Sequence, residues 1–446
     1  MKHIQFILLL SIILFTSCGK ETSEVDPGSF TVKGSITDFE KVGLNAPSEA
    51  QEINLTGEAL TKSLLSVVTG DFEIAVDNGP YSKQATISAN MVNRGVKLKV
   101  RCIPTSVGEL NGILTISGDN LTSITYDLKA AGVEKLLLVS TFSNQRLAFG
   151  GGYSQKAEGS FTFNTDPEKV ETITMYVKLS CPSEGCNAWD MYANIRLQDP
   201  VTEEWFEIGR FITPYGVDNS ELPKGLPIDV TDFKSLLTGE VNLRSFIEVW
   251  GADGWLLSLD FEVIEGTPDY KYYAVAPLLD YAQHSLSGIP YGVQNDFKLD
   301  KCITIPGNAE ETTLRTTISG WGHATPNDPD GRPCAEWCFR THQVLIDENP
   351  LFEHTMKGIG CDQNPVKPQF GNWQPDRAGW CPGMEVPVRN DIFDYARAGE
   401  SFCYKYQLEP WINDMQSTAD NKNAYYAITS FIVVKSNTPI DLPVVG

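Results

Sequence analysis

The chain has 446 residues, with 35 Lys plus Arg against 57 Asp plus Glu, a formal charge of −22. At about 100–200 residues per domain this length allows two to four domains, each with its own core. The acidic balance excludes nucleic acid as the partner, because phosphate binding needs clustered Lys and Arg, and 41% hydrophobic with 21% charged residues excludes wholesale disorder.

Lys2 and His3 precede an apolar run from Ile4 to Phe15. The run is too short for a membrane-spanning helix, which needs about 20 residues, and it fits the apolar region of a secretory signal. The following Phe15-Thr16-Ser17-Cys18-Gly19 resembles the lipobox of bacterial lipoproteins. Residues 1–17 therefore read as a signal peptide, Cys18 as the lipidated residue and 18–29 as a polar tether. The expectation is an exported lipoprotein of the outer membrane, on its periplasmic or cell-surface face. It touches the membrane only through lipid.

From residue 30 to 134 the alternating segments Phe30–Ile36, Phe72–Val76, Gln84–Ala89, Val96–Cys102, Asn111–Ser117 and Ser123–Ala130 predict one β-sandwich. The strand pattern resembles immunoglobulin-like modules of the abnormal-spindle and hydin type. No catalytic constellation occurs there. Residues 135–267 again carry short strands: Ser160–Phe163, Glu171–Lys178, Ala193–Gln198, Trp205–Thr213, Arg244–Trp250 and Ser258–Ile264. The one helical turn in this stretch is VTDFKSLLTG, residues 230–239, with Thr231 or Asp232 placed to cap it. Residues 273–446 are strand-rich as well. Seven or eight strands per unit without helices predict sandwiches or jelly rolls, an all-β fold.

Export places the chain where disulfides persist. With Cys18 assigned to lipid, nine Cys remain, and eight of them follow residue 180, which suggests four bridges and a buried free Cys102. Connectivity does not follow from sequence alone. Nearest-neighbour pairing gives Cys181–Cys186, Cys334–Cys338 and Cys361–Cys381, leaving Cys302 with Cys403. A zinc reading of Cys334-x3-Cys338 is weaker, because the spaced partners of a metal site are missing.

Three acids sit beside Trp in constrained settings: Asp190 in CPSEGCNAWD, Glu336 in Cys334-Ala-Glu-Trp-Cys338, and Glu248 in SFIEVW. A bridge over three residues gains little from chain entropy. Its use is geometric, since it fixes the directions of Glu336 and Trp337. An adjacent indole would also raise a carboxyl pKa by lowering the local dielectric. The bland reading is that these acids are solvated surface charges and that Trp189, Trp250, Trp321 and Trp337 are core. Trp near acids and near Arg340 and Arg377 also suits a sugar site, where aromatic faces stack on pyranose rings. His284, His323, His342 and His354 form no metal cluster by spacing and read as structural.

The segments CNAWDMYANI, EIGRFITPYGV, LRTTISGWGHATP, CAEWCFRTH and GNWQPDRAGWCPGM look like the peptide-N-glycosidase F family of asparagine amidases. The similarity runs collinearly from about Thr141 to Val445. The N-terminal module looks like the extra domain of the family's longer, second type. The resemblance implies two tandem eight-stranded antiparallel jelly rolls, here residues 135–267 and 273–446, with the active site at their interface. It also implies Asp190 as principal catalytic acid, Glu336 as second essential carboxylate and Glu248 as a support acting through water. Trp189, Trp250 and Trp321 match positions near the sugar, and Arg377 matches a polar contact in the cleft. The family's three disulfides map onto the nearest-neighbour pairs. Met191 departs from the best-known motif, which has Arg after the catalytic Asp, and could leave space for an α1,3-fucose on the inner GlcNAc.

The implied reaction is hydrolysis of the amide joining Asn to the innermost GlcNAc of an N-glycoprotein or glycopeptide by a monomer without cofactor or metal. Two rivals share these residues: a glycoside hydrolase with paired carboxylates, and a non-catalytic glycan-binding lipoprotein.

Overall fold

The computed structural model describes residues 28–415 and 422–446. The signal sequence, Cys18 and the tether up to residue 27 lie outside the described residues. The chain divides into two compact units, Met1–Gly132 and Val133–Gly446. Among the described residues no helix is long and apolar enough to cross a membrane.

The first unit is a sandwich of two antiparallel sheets. One orders the strands Ser29–Lys33, Gln51–Glu58, Val96–Cys102 and Phe72–Val76; the other orders Lys41–Gly43, Ile124–Val133, Gly108–Ser117, Leu64–Val68 and Gln84–Ile87. Alternation explains the core: Ile53 and Leu55, or Leu98 and Val100, point inward while their neighbours face out. Three of these strands, starting at Lys41, Gln51 and Leu64, escaped the pattern reading because they are short or rich in polar residues. The strand expected to run to Ala89 stops at Ile87, and Ala89–Arg94 form a helical turn instead. Val92 buries into the core, and Asn93 ties the turn to Leu60 through both its amide atoms.

The second unit contains two jelly rolls. The first pairs the sheet Lys135–Ser140, Trp255–Glu265, Val170–Ser180, Leu226–Asp229 with the sheet Lys156–Phe163, Gly239–Ile247, Tyr192–Gln198, Trp205–Ile212. The second pairs Tyr272–Tyr281, Tyr425–Ser436, Glu311–Trp321, Val388–Ile392 with a sheet built on Asn349–Met356, Arg340–Ile346, Ser401–Gln407 and Asp300–Thr304. The helical turn after residue 230 is a single 3-10 turn, Thr231–Phe233. Neither expected cap closes it. Asp229 accepts from the Thr231 N–H at 2.8 Å, Thr231 Oγ1 accepts from Ile173 N, and Asp232 pairs with Arg315.

The jelly rolls meet through apolar packing, Phe206 on Phe431 with ring centroids 5.5 Å apart, and through buried ionic contacts, among them a cluster around Arg210. Arg210 donates two 2.7 Å bonds to Glu207, and further bonds to Ser319 Oγ at 2.9 Å and the Ala427 carbonyl at 2.8 Å. Thr429 Oγ1 donates to Glu207 at 2.7 Å. Tyr192 donates to the Ala282 carbonyl across the same seam.

Four disulfides join Cys181–Cys186, Cys302–Cys403, Cys334–Cys338 and Cys361–Cys381, and Cys102 is free and buried.

Candidate active site

The three Trp-flanked acids come from the ends of strands at the jelly-roll seam. Asp190 lies two residues before the start of the strand Tyr192–Gln198. Glu248 follows the strand ending at Ile247. Glu336 follows the short strand Cys334–Ala335, which pairs with His323–Ala324 just beyond Trp321. Strand ends suit this work because the sheet fixes the backbone while the side chain leaves the ladder.

Local bonding holds each acid. The buried Thr213 hydroxyl donates to the Trp189 carbonyl at 2.9 Å and accepts from the Met191 N–H at 2.8 Å, which clamps the peptide on both sides of Asp190. Asn187, just after the Cys181–Cys186 loop, is fixed by two 3.1 Å bonds to Asp253. Glu248 is buried, donates its N–H to the Tyr192 carbonyl at 2.9 Å and accepts the Ser285 N–H at 2.8 Å. Glu336 is held by its own N–H to the Gly322 carbonyl and by the Ala378 N–H to its carbonyl, at 3.1 and 2.8 Å.

Arg377 joins two of the three acids. Its fully buried guanidinium lies 3.3 Å from Asp190 Oδ2 and 3.9 Å from Glu336 Oε1, and donates to the Tyr215 hydroxyl at 3.0 Å. Trp337 packs on it with its ring centroid at 4.4 Å, and Trp380 at 5.5 Å. Trp337 itself covers the cation and donates its Nε1–H to His323.

Asp190, Glu248, Glu336, Trp250, Trp321 and Tyr425 line one cavity of about 300 Å³, with the half-buried Met191 at its wall. The Asp190 carboxyl is pushed up to about 6 by burial and then by the charge of Glu336; a hydrogen bond from Tyr215 and the charge of Arg377 pull the other way. Burial also raises Glu248, against the opposing bond from Ser285. A carboxylate with a pKa near neutrality is suited to take a proton and return it.

The aromatic residues divide. Trp250 is 58% exposed, with Phe149 edge-on to it at 5.2 Å, and Trp189 is 63% exposed. Trp321 is buried, stacked on Trp380 at 4.7 Å, and its Nε1–H is spent on Ser319. It offers the cavity an apolar wall and no hydrogen-bond donor.

The family model described as "Peptide-N-glycosidase F, C terminal" matches residues 292–433. The peptide-N(4)-(N-acetyl-β-D-glucosaminyl)asparagine amidase F of Elizabethkingia miricola is 48% identical over 341 residues, covering 75% of this chain and 95% of that protein. The chain belongs to the peptide-N-glycosidase F family. A solved recombinant N-glycanase F is 50% identical with a TM-score of 0.67, covering 70% of this chain and 98% of that one. The PNGase F structure from Flavobacterium meningosepticum gives 50% and 0.68, covering 70% of this chain and 99% of that one. PNGF-II matches 87% of this chain and 88% of its own at a TM-score of 0.54 but 11% identity, a likeness of fold.

Several residues around this cavity carry no sequence signal. Thr213, Tyr215, Ser285 and Tyr425 are ordinary strand and loop residues until the jelly rolls bring them in. His323 was expected to be structural. It is exposed, with Nε2 3.3 Å from Glu336 Oε2 and 2.8 Å from Trp337 Nε1, and the bond to Glu336 raises its pKa. His342 and His354 are buried in the second jelly roll, where burial drives His342 down to about 3. Among the described residues the one close grouping of metal-type ligands is Cys361, Cys381 and Asp376, and its sulfurs are joined in a disulfide.

Proposed function

We propose that this chain hydrolyses the side-chain amide joining Asn to the innermost GlcNAc of N-glycoproteins and glycopeptides, releasing the glycan as a glycosylamine and leaving Asp in the peptide. The observation that carries the reading is Asp190: an acid with a pKa of about 6 that shares the Arg377 guanidinium with Glu336, in a sugar-sized cavity of a peptide-N-glycosidase F family chain.

Asp190 acts as general base on a water that attacks the Asn carbonyl carbon. The proton returns to the departing nitrogen as the C–N bond breaks. Arg377 holds Asp190 and Glu336 together and limits how far their repulsion raises Asp190. Glu336, when ionised, is acceptor-only, so its work is to receive hydroxyl or acetamido N–H groups of the sugar. Glu248, anchored by Ser285, positions water on the far wall. Trp250 presents an exposed face for the pyranose ring. The glycosylamine then loses ammonia to water.

Digestion of a defined N-glycopeptide tests the reading. Mass spectrometry should find Asp in place of the glycosylated Asn. A peptide still bearing one GlcNAc would establish glycosidase chemistry instead.

Two finer proposals extend it. Met191 puts a flexible, uncharged thioether at the cavity wall beside Asp190, which leaves room for an α1,3-fucose on the inner GlcNAc. Fucosylated and plain glycopeptides should be cleaved at similar rates, and Met191→Arg should slow only the fucosylated one. Cys18 anchors a monomer to the outer membrane through lipid; Cys18→Ser should move the protein to the soluble fraction.

A further inference from the structure

Among the described residues, the exposed large aromatic side chains are Phe149, Tyr153, Trp189, Trp250, Phe370 and Tyr395. Trp250 lines the cavity that holds Asp190, Glu248 and Glu336, and it carries Phe149 edge-on. Trp189 precedes Asp190 in the chain, and Phe370 connects to Asp190 through Tyr215.

Phe370 is the most exposed of all, at 86%. Its backbone is nevertheless fixed. Its N–H donates to the Tyr215 carbonyl at 3.2 Å. The preceding Gln369 is buried, accepts the Tyr215 N–H at 2.9 Å and donates to the carbonyls of Val366 and Pro382. Gly371 presses so closely on Tyr215 that a Cβ there would lie 2.1 Å from its ring. The Phe370 ring rests on Gly216, where φ is +65° and a Cβ would meet the ring at 2.8 Å. The Gly216 N–H donates to the Asn187 carbonyl, three residues before Asp190, and the Tyr215 hydroxyl bonds Asp190 and Arg377.

An apolar side chain left in water and held rigid is costly unless something covers it. Phe370 is built on Tyr215 and Gly216, and Tyr215 in turn bonds the general base Asp190. The substrate has two halves, and the amide carbonyl attacked from Asp190 belongs to the peptide half. We propose that Phe370 is a specificity-determining residue that packs on an apolar side chain flanking the glycosylated Asn, so that the enzyme prefers apolar, extended polypeptide around the site. This rests on the amidase reading above.

The test uses two synthetic glycopeptides with the same chitobiose, one with Val before and Leu after the glycosylated Asn, the other with Ser and Gly. The wild-type full chain should have the lower KM for the first. Phe370→Ser should raise KM for the Val/Leu peptide about 5- to 20-fold, leave kcat unchanged, and leave the Ser/Gly peptide unaffected; Phe370→Leu should recover most of the loss. Trp250→Ala, on the glycan side, should affect both peptides alike. Equal changes for both peptides in Phe370→Ser, or none, would overturn the proposal. A wild-type enzyme that cleaves both peptides without preference also overturns it while the amidase reading stands. Failure to convert Asn to Asp in either peptide overturns the amidase reading itself.

Discussion

Two clusters of arginine and carboxylate lie along the seam of the jelly rolls, and they are assembled to different ends. Glu207 and Arg210 face each other through two 2.7 Å bonds, and their remaining capacity goes to Thr429, Ser319 and the Ala427 carbonyl. Burial opposes the charge on Arg210, and Glu207, Tyr192 and Asp280 together outweigh it. Asp190, Glu336 and Arg377 hold two acids for one cation, with contacts of 3.3 and 3.9 Å, and Arg377 Nε has no hydrogen-bond partner. The first cluster spends its hydrogen bonds on the fold. The second holds its acids by fewer and longer contacts, and burial with the charge of Glu336 raises Asp190 to about 6.

That contrast can be broken experimentally. The largest effect expected is on turnover: Asp190→Asn should lower glycan release by at least about 10²–10⁴-fold, with an unchanged far-UV spectrum; near-normal turnover would remove Asp190 from its role. Next, Glu207→Gln should destabilise the second unit by about 3–5 kcal/mol in denaturant titration, because it strands a buried guanidinium. A neutral result would make the seam cluster dispensable.

Asp190→Asn should have the opposite sign in stability. The folded carboxyl is raised from 3.8 to about 6, so the folded state binds the proton more tightly than the unfolded one. Wild-type stability therefore declines as pH rises between those values and stays lower above them. The variant escapes this loss, worth on the order of 3 kcal/mol at most, so its melting temperature should exceed wild type at pH 7.5 and match it near pH 4. Equal melting curves at both would show that the site carries no strain. The smallest effect is on the pH profile: kcat/KM should fall about tenfold per pH unit below about 6 as the base is protonated. A flat profile down to pH 4 would place the base elsewhere.

The two units also differ in how far their sequences could be read. Period-2 alternation exposes most strands of the sandwich, yet Gln51–Glu58 escapes it because only Ile53 and Leu55 are apolar on its inward face, beside Gln51 and Gly57, and the strand expected through Ala89 gives way to a helix held by Asn93 and Leu60. In the jelly rolls the acids beside Trp were legible because short Cys loops and motif residues are local features.

The sequence by itself determined an all-β chain, the set of eight cysteines available for bridging and the candidates Asp190, Glu248 and Glu336, since alternation, residue type and motif identity are properties of neighbours along the chain. Only the tertiary structure decided that Arg377 stands between Asp190 and Glu336, that Tyr215 and Ser285 tune the acids, that Trp337 covers a cation, and that His323 faces Glu336. Charge and burial depend on distance in space, and Asp190 and Arg377, 187 residues apart, become neighbours only when the strands of two sheets converge.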